Sequence, residues 1–211
     1  MVISIHQPAY LPWLGYFDKI NKSDLFIFLD TVQFQKNSFQ NRNLILKKND
    51  TPMWLTVPIE KNHFEIIHKI KIHNGFNWKK KHYDSIRFNY SGSKNFNKIF
   101  IQLHQFYNRE WFFLNDICYE MLIFFCHFLN IKTKIIKLSE EEKILGQKSD
   151  LILNICKKYN AKTYYSGING KSYLDLTKFE QEKINVIFQN INLKEKIKKK
   201  NRTKYNNYSI I

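Results

Sequence analysis

The chain opens on an apolar run, Val2 to Ile5, of the length of a short buried strand. A loop from His6 to Leu11 follows and contains Pro8. Pro12 suits the first position of a helix, where a missing N–H would be unpaired anyway. Trp13, Phe17 and Ile20 then fall on one face of a helix over Trp13–Asn21. Leu25 to Leu29 is a second continuous apolar run, the signature of a strand covered on both faces. Strand, loop, helix, strand is the opening of a parallel α/β unit.

Further on, Asn43–Leu46 and Met53–Val57 read as paired strands around the turn Lys48-Asn-Asp50, and Ile67–Ile72 as a further strand. Helical periodicity governs Trp78 to Leu129, with a break at Ser91-Gly-Ser-Lys94, and predicts two or three helices. Ile131–Lys137 is a return strand. Ser149 is expected to cap a helix over Asp150–Tyr159, with the acid in its first turn. Ala161–Tyr165 is a strand, and Phe179–Lys183 and Val186–Gln189 give a last helix and strand. The expected fold is α/β, a Rossmann-like, mostly parallel sheet with a helical insertion at about 78–129. The expected organisation is a single domain over 1–193 with a basic tail at 194–211.

Composition adjusts this picture in two places. Apolar residues at 44% and aromatics at 16% exclude a disordered chain. A formal charge of +16 invites nucleic acid as a partner, but only Arg42, Arg87, Arg109 and Arg202 of the 34 basic residues are arginine. The densest run, Lys194 to Lys204, carries seven cations and one glutamate with no aromatic between them. A solvated tail is the better reading, and nucleic acid is disfavoured. Cys118, Cys126 and Cys156 lack CxxC spacing, which argues against disulfides and a thiolate metal site. With no signal peptide, the expected compartment is the cytoplasm. Asn115, Asp116, Glu120 and His127 interrupt the apolar stretch Trp111–Leu129, so a buried helix is expected there and not a membrane span.

Ligands of an open parallel sheet bind beyond the carboxyl ends of its strands, where both the His6 loop and Asp30 fall. His6, Asp30 and Gln33 are therefore a candidate polar cluster, walled by the rings of Tyr10, Trp13 and Tyr16. A strand, a histidine loop and a helix N-terminus also open phosphate-handling nucleotidyl transferases, although Ala9 stands where their second histidine would be. Gln33, Lys36, Gln40, Asn41 and Arg42 form a second polar group suited to phosphate, base or sugar, or else an exposed loop. In Ser166-Gly-Ile-Asn-Gly-Lys-Ser-Tyr173, Gly167 and Gly170 are expected to let backbone N–H groups turn toward an anion, with Lys171 adding charge. Cys156 shares a helical face with Ile152, Leu153 and Tyr159 and reads as a buried thiol. His82, Tyr83, Arg87 and Tyr90 recur at helical spacing, either as a surface stripe or as one side of a cleft.

Several of these segments together resemble the WbqC family of bacterial proteins. The family's opening I-H-Q-P-x-Y-L-P-W-L-G-Y-F is matched by Ile5–Phe17, its D-x-V-Q-F-x-K by Asp30–Lys36, its Q-N-R-N by Gln40–Asn43 and its W-L-T-V-P by Trp54–Pro58. Its S-D-L-x-x-x-I-C, Y-x-S-G-x-x-G-K-x-Y-L and F-x-x-x-x-I-x-V-x-F-Q are matched by Ser149–Cys156, Tyr164–Leu174 and Phe179–Gln189. The C-terminus departs: Asn190–Asn207 is lysine-rich and the sequence stops at Ser209-Ile-Ile211, where the family continues into a further helix. The expectation is a truncated or lost last helix.

The resemblance implies a cytoplasmic role in bacterial surface polysaccharide synthesis, such as O-antigen. The expected activity is transfer of an aminoacyl or other acyl group to a nucleotide-linked amino sugar, with ATP as candidate co-reactant and no metal. His6 and Asp30 are the catalytic candidates. Tyr10, Trp13, Tyr16, Gln33, Lys36, Asn41, Arg42, Ser166, Gly167, Gly170, Lys171 and Tyr173 are the substrate-binding candidates. The competing class is a non-catalytic nucleotide-sugar-binding or assembly protein, which would bind without forming product.

Overall fold

The computed structural model describes residues 1–60, 65–93 and 96–190; the basic tail, Lys194 to Lys204 included, lies outside the described residues. The described chain forms two compact units. The first comprises Met1–Gln7, Gly15–Asp30 and, of the described residues, 126–190; the second comprises Pro8–Leu14 and the described part of Thr31–Phe125.

Five parallel strands make the first unit: β1 (Val2–His6), β2 (Leu25–Phe28), β5 (Lys134–Lys137), β6 (Thr163–Ser166) and β7 (Asn185–Phe188), in the order β5-β2-β1-β6-β7. The fold class is the α/β one the sequence predicts. Three of the four connections between strands successive in the chain are helical. Helix α1 (Leu14–Asn21) joins β1 to β2, α5 (Lys148–Lys158) joins β5 to β6, and α6 (Leu176–Gln181) joins β6 to β7. All four residues of β2 are buried, as a strand with helices on both faces requires. The edge strands differ: β5 begins and ends on lysine, and β7 alternates exposed with half-buried positions, which discourages pairing with another chain.

From β1 the chain moves outward to β2 and β5, then returns to the other side of β1 for β6 and β7. The order therefore reverses between β1 and β6. Their ladder registers only Val2↔Thr163 and Ile3↔Tyr164. By contrast, β1 stays paired with β2 as far as His6↔Phe28, and β6 with β7 as far as Ser166↔Phe188. The two central strands thus separate at their carboxyl ends, the crevice in which doubly wound sheets bind ligands.

The second unit holds an antiparallel pair, β3 (Arg42–Leu46) and β4 (Pro52–Thr56), and the helices α2 (Trp78–Tyr90), α3 (Phe96–Asn108) and most of α4 (Leu114–Phe128). The paired strands are those expected around the Lys48–Asp50 turn, and the segment expected to hold two or three helices holds three. Ile67–Ile72 is not a strand. Ile67–Lys69 is a turn of 3-10 helix, because Ile67 and Ile70 are both buried and their three-residue spacing suits that winding. Strand character survives only as the isolated bridges Ile59↔Ile72 and Lys71↔Phe113.

Three helix starts also differ from expectation. Leu11 takes φ 45° and α1 begins at Leu14, so Pro12 precedes the helix and does not open it. In α5, Gln147 stands at the cap without a side-chain bond, and Ser149 lies inside the first turn, where its hydroxyl accepts from the N–H of Asp175 at 2.9 Å. The chain reaches this geometry through positive φ at Gly146 and Lys148. Helix α6 starts earlier than Phe179 because Asp175 caps it, accepting from Lys178 N–H. Among the described residues, no helix is long and apolar enough to cross a membrane.

Candidate functional site

The carboxyl end of β1 positions His6 at the crevice. Its imidazole is half-buried and stands edge-on to the ring of Tyr16, centroids 4.6 Å apart. Nδ1 lies 2.9 Å from the carbonyl oxygen of Gln7, which can only accept, so Nδ1 carries the proton and Nε2 is the basic nitrogen. Tyr16 hydroxyl donates to the same carbonyl at 3.1 Å and fixes it in place. Burial, with the nearby positive charge of Lys19, pushes the His6 pKa down to about 3. The ring is therefore neutral at pH 7, and the same burial makes it a weaker base than a free imidazole.

Tyr16 itself is 1% exposed and packs on Phe17 and Phe26, so it orients the His6 loop from behind the ring. Asp30, beyond the end of β2, is fully buried. Its Oδ1 accepts from the backbone N–H of Ser139 at 2.9 Å and its Oδ2 from the Ser139 hydroxyl at 2.6 Å. These bonds tie the end of β2 to the turn after β5 and occupy both carboxylate oxygens.

Across the sheet reversal lies the β6 loop. Ser166 is buried, and its hydroxyl donates to the Gly167 carbonyl at 3.1 Å. Gly167 has φ −66°, and neither it nor Gly170 has positive φ; residues Ile168–Ser172 wind as 3-10 helix. Neither glycine therefore adopts the left-handed backbone of an alternating anion nest. Gly170 is needed for space: a Cβ there would collide with Ser166 Oγ and lie 3.0 Å from Leu174 Cδ1 and 3.3 Å from Phe188. Lys171 is exposed above the Phe188 ring at 5.5 Å, and Tyr173 is 45% exposed.

The remaining candidates belong to the second unit. Tyr10 is fully buried, its hydroxyl 2.8 Å from His82 Nδ1 and 2.7 Å from the Tyr107 hydroxyl. The three groups form one buried chain of hydrogen bonds, with Tyr10 at its centre. Burial pushes His82 down to about 3 and Tyr107 above its ordinary value. His82 is thus an interior residue and no surface stripe, and Tyr10 is an interior partner and not a pocket wall.

In the Gln40–Asn43 motif the strand alternation separates two functions. Asn41 Nδ2 donates to Val57 carbonyl at 2.9 Å and Asn43 Nδ2 to Leu11 carbonyl at 2.6 Å, both side chains buried, while Gln40 Oε1 accepts from Gln35 N–H at 2.8 Å. Arg42 points outward. Its guanidinium stacks on Trp54 at 4.3 Å and donates to the Asn37 carbonyl at 2.7 Å. Trp13, Phe39 and Trp54 continue this face at centroid spacings of 5.5 and 5.9 Å. Gln33 and Lys36 are exposed, Gln33 in an isolated bridge with Ile66. Cys156 is fully buried with its thiol pushed up to about 12, the inert state expected of it.

The sequence reading missed Lys19. It is 3% exposed on α1, and its Nζ donates to the Ile5 carbonyl at 2.7 Å. The signal was present: Lys19 follows Tyr16 by three residues and precedes Ser23 by four, on the helix face that meets the sheet.

The model of the WbqC-like protein family matches residues 7–211. An uncharacterized protein of Mycobacterium tuberculosis (strain ATCC 25618 / H37Rv), Rv1507c, is similar, 32% identical over 186 residues that span 87% of this chain and 80% of that protein. No solved structure matches.

Proposed function

The chain belongs to the WbqC-like protein family, and on that premise we propose that it modifies a nucleotide-linked amino sugar by acyl or aminoacyl transfer. The setting is bacterial surface polysaccharide synthesis in the cytoplasm. The observation that carries this reading is His6: a neutral imidazole with a fixed tautomer at the carboxyl end of β1, where the strand order reverses. As the sugar nitrogen bonds to the acyl carbon, it sheds a proton to His6 Nε2, and the acyl leaving group departs with its bonding electron pair. A neutral Nε2 accepts a hydrogen bond and cannot donate one, which disfavours stabilisation of phosphate and suits it to receiving the N–H of the sugar amine.

Asp30 supports the site from behind by holding Ser139. Ser166, Gly167, Gly170, Lys171 and Tyr173 form the facing loop, with Gly170 keeping Ser166 in place. The second unit by itself presents a cationic and aromatic face, Arg42 on Trp54 flanked by Trp13 and Phe39, of the kind that stacks on planar rings. Gln33 and Lys36 are exposed beside the same motif of that unit. Asn41 and Tyr10 contribute through the interior bonds that hold this unit together.

The test is a product screen. The protein is incubated with UDP-, dTDP- and GDP-linked amino sugars, ATP and amino acids, and the nucleotide sugars are weighed by mass spectrometry. An ATP-dependent mass gain on one sugar is the expected result. Binding of a nucleotide sugar with no new mass under any combination overturns the transferase reading in favour of a binding or assembly protein.

A further inference from the structure

Lys19 occupies the opening between the two central strands. Asp24 and Leu29 donate to the carbonyls of Val2 and His6, so the even-numbered carbonyls of β1 face β2. Strand alternation turns the Ile5 carbonyl to the opposite edge, toward β6. The β1–β6 ladder has already ended at Ile3↔Tyr164, and the Lys19 Nζ that donates to Ile5 stands where a β6 amide would otherwise pair. The helix backbone around it is held by Ser23, whose hydroxyl donates to the Lys19 carbonyl at 2.8 Å and lies 2.7 Å from Ser4 Oγ.

An ammonium has three donors and strong need of a counter-ion when buried. Among the described residues, no carboxylate makes an ion pair with Lys19. The titratable groups on the elements around it supply no counter-charge: His6 on β1 is neutral, Tyr165 on β6 accepts from Lys22, and the Asp18 carboxylate is bound by Lys22 and Gln189. Phe26 on β2 is apolar.

We propose that Lys19 is the anion-receiving group of the crevice, and that a phosphate-bearing ligand, the diphosphate of a nucleotide-linked sugar, is held there with uptake of one proton from solvent onto the Lys19 amine. This rests on the reading of the ligand as nucleotide-linked. Burial alone lowers the Lys19 pKa to about 7, so the unliganded amine is largely neutral above that pH. A diphosphate at the crevice restores the ordinary range, and binding draws a proton across the window from about 7 to 10.5.

Isothermal titration of UDP-, dTDP- and GDP-linked sugars into the full chain, in buffers of different ionisation enthalpy, reads the proton directly. Their diphosphodiesters do not titrate near neutrality. The expected result at pH 8.5 is uptake of about one proton per ligand bound, falling to about half at pH 7. His6 exchanges none at pH 8.5, since its window lies below 6.5. Lys19→Met abolishes the uptake and weakens binding at least tenfold; Lys19→Arg, which stays charged, binds without uptake. The wild-type proton count decides the matter even where a variant fails to fold. Binding at pH 8.5 with no proton uptake overturns the inference and leaves the nucleotide-sugar reading standing. Absence of binding by any of the three sugars overturns both.

Discussion

Asp30 receives two hydrogen bonds from one residue, Ser139, through its backbone N–H at 2.9 Å and its hydroxyl at 2.6 Å. A buried carboxylate that loses an acceptor bond carries the desolvation cost uncompensated, about 1–3 kcal/mol. Ser139→Ala is therefore expected to lower unfolding free energy by that amount in urea titrations, with an unchanged m-value. Asp30→Ala, which removes the hub itself, costs at least as much. A stability loss below the measurement error for both would contradict the tie between β2 and β5.

Gly170→Ala forces a methyl into Ser166 Oγ. The expected cost is about 1–3 kcal/mol, the usual penalty for overpacking. Removing the obstructing oxygen in Ser166→Ala/Gly170→Ala recovers part of it, so a double-mutant cycle shows coupling of the two sites. Strict additivity would contradict the steric role given to Gly170.

Tyr10→Phe deletes the hydroxyl that bonds both His82 and Tyr107. Two buried polar atoms then lose their partner, and the expected destabilisation is about 1–3 kcal/mol. Thermal unfolding followed by circular dichroism checks it; a melting temperature equal to that of the parent would show that the chain of three groups contributes nothing net.

Acid stability follows from two histidines, His82 buried and His6 half-buried. Folding pushes His6 and His82 from 6.5 to about 3, so between those values the unfolded chain binds protons that the folded chain refuses. Stability rises with pH across that window and is lost as pH falls through it, by up to about 1.4 kcal/mol per pH unit for each histidine. Urea midpoints measured from pH 7 to pH 4 are expected to fall, and His82→Gln or His6→Gln each to flatten the slope. Equal slopes in parent and variants would contradict the neutral buried state.

The strands and helices were legible where burial follows one period. Leu25–Leu29 has no polar interruption, and Trp78–Leu129 keeps helical spacing. Ile67–Ile72 was not, because its isoleucines satisfy a three-residue winding as well as a strand. The candidate site was legible as a pair of strand ends, His6 and Asp30, but the role of each group depended on contacts between distant segments. Asp30 meets Ser139 across 109 positions, and Gly170 is small for the sake of Ser166. In Gln40–Asn43, strand alternation separates Arg42 from Asn43, but Gln40 and Asn41 precede β3 and are both buried, so a period of two does not sort the whole motif.

The most direct test of His6 compares His6→Gln with the parent protein in the product screen, together with the melting temperature of each at pH 7.5. At that pH the parent histidine is neutral, and glutamine keeps a polar, uncharged side chain in its place. The expected result is a folded variant with a melting temperature near that of the parent and at least a hundredfold loss of product formation, the low end of general-base effects. Full product formation by a folded His6→Gln protein would contradict the assignment of His6 as the base.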